Sequence, residues 1–379
     1  MLRLLTAGES HGKTLLALVD GFPAGIKIDT ALINRELERR QGGYGRGGRQ
    51  KLETDTVDIL TGVWQETTLG SPITLAVVNR DAKIERLKDV ERPRPGHGDL
   101  TGAIKYLGSI RGILERASAR ETAARVAAGA LAKQLLGEFG MSVLGYVVQL
   151  EQIAAPPREG SLPELLQLRD ASPMYTLNPD LDPEIVARVD RATAEGDTLG
   201  GIVEVKVFNP PFGLGTHAQW DGKLDGLLAQ AVMSVQAIKG VEIGLGFEAA
   251  RRPGSRVHDE IAFDPAQASG AALGYVRKTN NAGGLEAGMT NGQPIVVRAA
   301  MKPISTLRRP LASINMSTKE PETAAYERSD VCALAACSVI VESVVAFTVA
   351  QALIDKFGGD SLVEMQARYQ KFLELARER

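Results

Sequence analysis

The sequence is poor in the residues that build disulfide scaffolds, metal clusters and nucleic-acid surfaces. Only 2 cysteines, 4 histidines and 2 tryptophans occur in 379 residues, and aromatics make up 5%. Two cysteines cannot make a disulfide framework, and four scattered histidines argue against a metal site. Few stacking rings and a net charge of −2, from 44 basic and 46 acidic residues, argue against a nucleic-acid partner. Low-complexity tracts and internal repeats are absent. Met1-Leu2-Arg3-Leu4-Leu5 runs into Thr6-Ala7-Gly8 without a charged lead or an apolar stretch of signal-peptide length, so a cytoplasmic location is expected. What is present, 44% hydrophobic and 24% charged residues, describes a globular, enzyme-sized chain with ample core.

One long apolar run stands apart. From Val331 to Ile354 the only charge is Glu342. The length suffices for a bilayer, but a mid-segment carboxylate and many Ala and Ser residues point to a helix buried on every side, and no membrane partner is expected. Cys332 and Cys337 fall on that helix about 140° apart, at ~3.6 residues per turn, as buried thiols rather than a disulfide.

Extended runs rich in β-branched residues predict strands at Leu2–Thr6, Thr56–Val63, Ile73–Asn79, Val143–Leu150, Ile202–Phe208 and Ile295–Met301. A helix is predicted from the capping box Ser118-Ala119-Arg120-Glu121, with Val126, Ala130, Leu131, Leu135 and Phe139 on its apolar face and Gly140 as its stop. A second carries Leu224, Leu227, Leu228, Ala231, Val232, Val235 and Ile238, ending at Gly240. The buried helix begins near Ser329, and a shorter one spans Thr30 to Arg40. Strands and helices do not alternate as a doubly wound parallel sheet requires. The expected fold is α+β, with antiparallel β-sheets packed on buried central helices as a β-α-β sandwich. Residues 154–200, rich in proline and holding a polar helix at Glu184–Ala194, read as a peripheral insertion.

Two familiar patterns have the wrong context. Ala7-Gly8-Glu9-Ser10-His11-Gly12-Lys13-Thr14 is similar to a phosphate-binding P-loop, which would make the chain a nucleotide enzyme. That loop needs a helix directly after Lys-Thr, whereas Leu15–Val19 reads equally well as a strand and Gly21-Phe22-Pro23 interrupts. Gly43-Tyr44-Gly45-Arg46-Gly47-Gly48 satisfies a dinucleotide GxGxxG, yet a helix precedes it and no apolar-periodic helix follows.

Charge is more informative. Arg35, Arg39, Arg40, Arg46, Arg49 and Lys51 against Glu36 and Glu38 leave a local excess of +4 (six minus two). Arg92, Arg94, Lys105, Arg111, Arg116, Arg120 and Arg125 against Asp99, Glu115 and Glu121 leave another +4 (seven minus three). The first stretch is either a solvated basic loop or a glycine-hinged loop closing over an anion. Arg120 at a helix start opposes the helix dipole, which a bound anion would relieve. In a slightly acidic chain, two cationic stretches suggest a small, multiply anionic ligand. His11 and His97 sit in glycine-flanked loops, where an imidazole can approach a ligand and exchange protons near neutral pH. Arg328-Ser329-Asp330 pairs a cation with a carboxylate at the start of the buried helix, either as an N-cap or as a catalytic pair.

These residues occur in the order of a known family. Gly8-Glu9-Ser10-His11-Gly12, the Arg40–Arg49 loop, Arg94-Pro95-Gly96-His97, Arg116-Ala117-Ser118-Ala119-Arg120-Glu121-Thr122, Gly283-Gly284, Met289-Thr290-Asn291-Gly292, Lys302-Pro303 and Arg328-Ser329-Asp330 resemble chorismate synthase over nearly the whole chain. The resemblance implies a single catalytic domain over residues 1–379. It also implies conversion of 5-enolpyruvylshikimate 3-phosphate to chorismate with loss of phosphate, using reduced FMN without net redox change. His11 would donate a proton to the phosphate, His97 would sit by the flavin pyrimidine, and Asp330 would help remove the ring proton. Arg40, Arg46, Arg94, Arg120 and Arg328 would grip substrate anions. The flavin would be held by Arg116, Ala117 and Ser118, by Gln236 and Ala237, by Ala287, by Lys302, Pro303, Ile304, Ser305 and Thr306, and by Arg328. The family assembles as a homotetramer. No Rossmann unit for NADPH is visible, so an external flavin reductant is expected. Ala117, Val331 and Ala335 depart from the family's commoner Ser, Pro and Pro.

Overall fold

The computed structural model describes residues 1–48, 53–327 and 329–379. Strands β1 (Arg3–Ala7) and β2 (Thr14–Asp20) form a hairpin, followed by helix α1 (Thr30–Gln41). Strands β3 (Val57–Thr61) and β4 (Ile73–Val78) complete an antiparallel sheet in the order β1–β2–β4–β3. Helices α2 (Asp99–Tyr106), α3 (Ile110–Ala117) and α4 (Thr122–Gly137) come next. Strands β5 (Ser142–Leu150) and β6 (Ile153–Ala154) lead to helices α5 (Leu162–Ala171) and α6 (Asp182–Glu195). Then follow β7 (Gly201–Phe208), α7 (Leu224–Met233), β8 (Ile238–Ile243) and β9 (Ile295–Met301). Two C-terminal helices, α8 (Leu334–Phe357) and α9 (Leu362–Arg377), end the chain. The second antiparallel sheet runs β8–β9–β7–β5–β6. The protein is therefore α+β with antiparallel sheets.

Period-two patterning sets the sheet faces. Leu15, Ala17 and Val19 of β2 point inward, as do Val203, Val205 and Val207 of β7 and Ile295, Val297, Ala299 and Met301 of β9. Helix α4 packs on β2 and β4, α8 packs on β5 and β7, and the two helices pack on each other. Small residues permit that closeness: a Cβ at Gly129 of α4 would lie 2.4 Å from the Ser343 Cβ of α8. Helix α8 is apolar all round because helices or sheet surround it, and it is the one described helix long and apolar enough to cross a membrane. Within residues 154–200, α5 covers Leu144 and Tyr146 of β5, while Ile185, Val189 and Ala192 of α6 join the main core.

Several sequence expectations need correction. The helix expected to run through Ile238 stops at Met233, and Ile238–Ile243 is strand β8. Val235 and Ile238 are spaced for a helix face, but Ala237 turns the backbone at φ +69° and Ile238 pairs with Met301 instead. Ser118 caps a short 3-10 turn at Ala119–Glu121, not α4, and accepts from Arg120 N at 3.2 Å. The Glu121 carboxylate turns away to Thr6, Arg125 and Gln236, so the box never closes. Helix α4 ends at Gly137, before the turn at Gly140. Helix α8 starts at Leu334, because Val331 and Cys332 donate their backbone N–H groups to Gly45 O. Cys332 thus precedes the helix, and the angular argument for the two cysteines does not apply. Both are buried, unpaired thiols, pushed by burial up to about 11 and about 12. Helices α2, α3, α5 and α9 carry no expectation from the sequence.

Candidate active site

The segment from Arg116 to Thr122, across the junction of α3 and α4, is where Arg40, Arg120 and the turn that carries His11 meet. Gly8 turns the β1–β2 connection back toward it at φ +104°, where a Cβ would strike Thr14 O at 2.4 Å. Asn79 braces that turn, donating from Nδ2 to Glu9 O at 3.1 Å and to Gly12 O at 2.8 Å. Thr14 opens a strand, so no helix N-terminus follows Lys13 and the P-loop reading fails. Inside the turn, His11 lies against α3: its backbone N–H donates to Glu115 Oε2 at 2.8 Å and Nδ1 sits 2.9 Å from Oε1. Burial opposes ionisation of Glu115, but hydrogen bonds from His11 and the charge of Arg111 outweigh it and hold the carboxyl below its ordinary value.

His97 is backed the same way. Its Nδ1 lies 2.5 Å from Asp99 Oδ1, in the first turn of α2, where a carboxylate also suits the helix dipole. Arg94 donates to both Asp99 oxygens, from Nε at 2.8 Å and Nη2 at 3.0 Å, and from Nη1 to Thr306 Oγ1 at 3.0 Å. Burial resists the Asp99 charge, yet His97 and Arg94 hold this carboxyl far below the usual range. Arg94 is thereby engaged within the protein on all three of its nitrogens.

Three of the arginines expected to grip anions hold guanidinium nitrogens that are buried with donors to spare among the described residues. Arg120 donates from Nε to Asn79 Oδ1 at 2.8 Å and from Nη1 to Asp55 Oδ2 at 2.6 Å. Arg40 donates from Nε to Thr122 Oγ1 at 2.9 Å and from Nη2 to Ala119 O at 2.8 Å, with Asp55 Oδ2 3.6 Å from Nη1. Arg46 Nη1 pairs with Asp330 Oδ2 at 2.8 Å, and Gly47 N donates to Asp330 Oδ1 at 2.6 Å. Arg40 Nη1, Arg46 Nε and Arg120 Nη2 are buried without a hydrogen-bond partner among the described residues. Burial pushes the Arg40 guanidinium down to about 9; Asp55 pulls it up, while Arg120 and Arg46 push it further down. Arg40 is thus not on an open basic surface. Beside Asp330 a cleft of about 550 Å³ opens, lined by Gly43–Gly48 on one side, Val189, Asp190 and Thr198 on another, and Thr306.

Among the described residues, those expected to hold flavin form a connected string with one exception. Arg116 donates from Nη1 to Gly8 O and from Nη2 to Thr6 O, and Thr6 donates to Glu121, to which Gln236 also donates. Lys302 N donates to Ala237 O at 2.9 Å, and Thr198 Oγ1 donates to Ile304 O at 2.7 Å. Lys302 and Ser305 lie against Gly96, beside His97, and Thr306 meets Arg94. Ser118 Oγ donates to Ser10 Oγ at 3.2 Å; Ala117 ends α3, and Pro303 lies in the loop after β9. Ala287 stands apart, in the two-residue turn of a hairpin near the start of α7, while Gln236 and Ala237 follow its end. A ten-residue helix separates them by about 15 Å. Both Ala237 (φ +69°) and Ala287 (φ +52°) hold backbone angles that side chains disfavour, a feature concentrated at functional sites. Arg328, Arg49 and Lys51 lie outside the described residues.

The sequence does not single out Glu115, Asp99, Asp55 or Asn79 as site residues. Asp99, two residues beyond His97, was the one with a local signal. Val331 donates its N–H to Gly45 O at 2.9 Å, a bond that a proline at this position could not make.

Comparison with known proteins places this geometry. The chorismate synthase family model matches residues 2–354. A chorismate synthase of Geobacter metallireducens is 56% identical, and one of Geobacter sulfurreducens 53%, each over the full length of both chains. One of Brevibacillus brevis is 50% identical over 98% of each chain. A solved crystal structure of a chorismate synthase superposes with a TM-score of 0.82 at 42% identity, covering 100% of this chain and 99% of the other. Ordered motifs, full-length relatives and a matching fold agree: the chain belongs to the chorismate synthase family of phosphate-eliminating lyases.

Proposed function

We propose that the chain carries out the anti-1,4-elimination of phosphate from 5-enolpyruvylshikimate 3-phosphate, giving chorismate, with reduced FMN as cofactor. The carrying observation is the trio Arg40, Arg46 and Arg120, each with a buried guanidinium N–H that has no hydrogen-bond partner among the described residues, near two carboxylate-backed histidines and Asp330. Buried donors without partners are costly, and a phosphate with two carboxylates would satisfy them by charge-assisted bonds.

In this reading Arg40, Arg46, Arg120 and Arg328 grip substrate anions. His11 delivers a proton to the departing phosphate, and Asp330, steadied by Arg46 and Gly47, helps take the ring proton. Arg94 works through Asp99, orienting His97 rather than reaching substrate. The whole chain acts as one catalytic unit about the two sheets and their helices, and residues 189–198 give the cleft a wall.

The residues present fit a flavin phosphate ester. Gln236 Oε1 is a buried acceptor without a hydrogen-bond partner among the described residues, and burial and Lys239 lower the Lys302 ammonium, which an anionic group would restore. Arg116, Ala117, Ser118, Gln236, Ala237 and Lys302–Thr306 would hold FMN, with Arg328, and with Ala287 at the far end of α7. When bound and reduced, FMN supplies electron density that assists expulsion of the allylic phosphate. We read the reductant as external, the assembly as a homotetramer and the location as cytoplasmic. The apolar outer face of the first sheet, with Leu5, Leu60 and Val78 exposed, supports the assembly.

An anaerobic assay with 5-enolpyruvylshikimate 3-phosphate and chemically reduced FMN tests this. Chorismate and phosphate should appear in equal amounts, and oxidised FMN should give neither. Folded protein that yields no product would defeat the proposal, and turnover with FMN and NADPH alone would defeat the external reductant.

A further inference from the structure

His11 is gripped at two points by a residue 104 positions away. Its backbone N–H donates to Glu115 Oε2 at 2.8 Å, and its ring Nδ1 lies 2.9 Å from Oε1 and 3.1 Å from Oε2. Glu115 is buried on α3, with Arg111 Nη1, one helical turn away, 3.6 Å from Oε1. An ionised carboxylate only accepts hydrogen bonds, so Nδ1 must be the donor. The neutral ring then carries its proton on Nδ1, and Nε2 becomes the atom that gains or loses one. Nε2 faces the other way, 3.8 Å from Asp81 Oδ2, whose carboxylate is paired with Lys83.

We propose that Glu115 is a positioning residue for the elimination: it fixes the His11 tautomer so that Nε2 holds the proton passed to the phosphate. This rests on the reading of His11 as the phosphate's proton donor. As the C–O bond breaks, its electron pair goes to the phosphate oxygen, which takes the Nε2 proton from the imidazolium. The ring left behind is neutral, keeps Nδ1–H on Glu115, and regains a proton from water when product leaves.

The Glu115→Gln variant tests the assignment sharply. The backbone N–H of His11 can only donate, so the amide oxygen must accept it. The amide NH₂ is then left facing Nδ1, which must become an acceptor, and the ring proton moves to Nε2. The enzyme labelled with ¹⁵N in its 4 histidines reads this directly, with His11 assigned by loss of its signal in His11→Gln. Neutral His11 should be protonated on Nδ1 in the wild type and on Nε2 in Glu115→Gln. The variant's kcat should fall about 10²-fold with KM within about twofold, since general acid catalysis is lost and not binding.

A wild-type His11 protonated on Nε2 when neutral overturns the proposal, and needs no variant to fold. So does an unchanged tautomer in Glu115→Gln, or a switched tautomer with full kcat. The spectra are recorded without substrate, so wild-type enzyme that makes no chorismate overturns the reaction assignment separately.

Discussion

Arg94 closes on both oxygens of Asp99, with Nε at 2.8 Å and Nη2 at 3.0 Å, and a third bond runs from its backbone N–H to Oδ2 at 3.0 Å. The pair is buried, so each charge depends on the other. Asp99→Asn should therefore destabilise the fold by about 3 kcal/mol at neutral pH, because it leaves Arg94 uncompensated. The sign with pH follows from the lowered carboxyl. Its contribution is full above the ordinary aspartate value of about 3.9 and dwindles as pH falls from there toward the depressed native value. Melting curves of the two proteins should converge as the pH drops below about 4. A gap that stays constant from pH 7 to pH 3 would rule out the ionised pair.

His97→Ala tests what that pair supports. Turnover should fall about 10²-fold while FMN affinity changes far less, because the imidazole is aimed by Asp99 rather than by a binding contact. Anaerobic titration of reduced FMN alongside kcat separates the two effects. Full activity across neutral pH would remove His97 from the mechanism.

Arg46 holds Asp330 at 2.8 Å, and its buried Nε has no hydrogen-bond partner among the described residues. Arg46→Ala should raise the substrate KM about tenfold or more, the equivalent of one charge-assisted hydrogen bond of about 1.5–3 kcal/mol. It should also lower kcat, since Asp330 loses the Arg46 ion pair and keeps the Gly47 N–H. An unchanged KM would return this loop to a solvated surface role.

The same unsatisfied donors predict stabilisation by anions. Inorganic phosphate should raise the melting temperature, by the equivalent of about 2.7 kcal/mol at a hundredfold excess over Kd. Arg120→Met should abolish that increment, because Arg120 Nη2, 3.8 Å from Glu53 Oε2, is one of the buried groups without a hydrogen-bond partner among the described residues. Equal shifts in both proteins would place phosphate binding elsewhere.

Gly129→Ala probes the α4–α8 contact. The added methyl would meet Ser343 Cβ at 2.4 Å and its Cα and O at 2.6 Å, which are not the far end of a flexible chain. The helices must separate, at a cost of about 1–3 kcal/mol, visible as a lower melting temperature. An unchanged melt would mean that the two helices are not packed as closely as described.

The six strand expectations all meet strands, because alternation between core and solvent is written locally at a period of two. The burial of α8 was equally legible, since twenty-odd apolar residues around Glu342 leave no polar face. The end of α7 was not. Leu228, Val232 and Val235 suit a helix, and only the pairing of Ile238 with Met301 shows that the chain has already turned into a strand. The capping box failed for a related reason: Glu121 has better partners in Thr6, Arg125 and Gln236 than a local amide.

The site divides along the same line. Sequence by itself determined the candidate residue types and their order: His11 and His97 in glycine-flanked loops, the arginine-rich stretches, and Asp330 ahead of a buried helix. Only the tertiary structure decided what each one faces. Glu115 reaches His11 across 104 residues, Asp55 reaches Arg120 across 65, and Asp330 reaches Gly47 across 283. Backbone periodicity comes from forces that act between near neighbours, so it can be read from a short window. Ion pairs between loops form wherever packing brings the chains together, and no local spacing encodes them. That is why Glu115 and Asp99 counted only as negative charge in the sequence, and why the fold turns them into the groups that aim the two histidines.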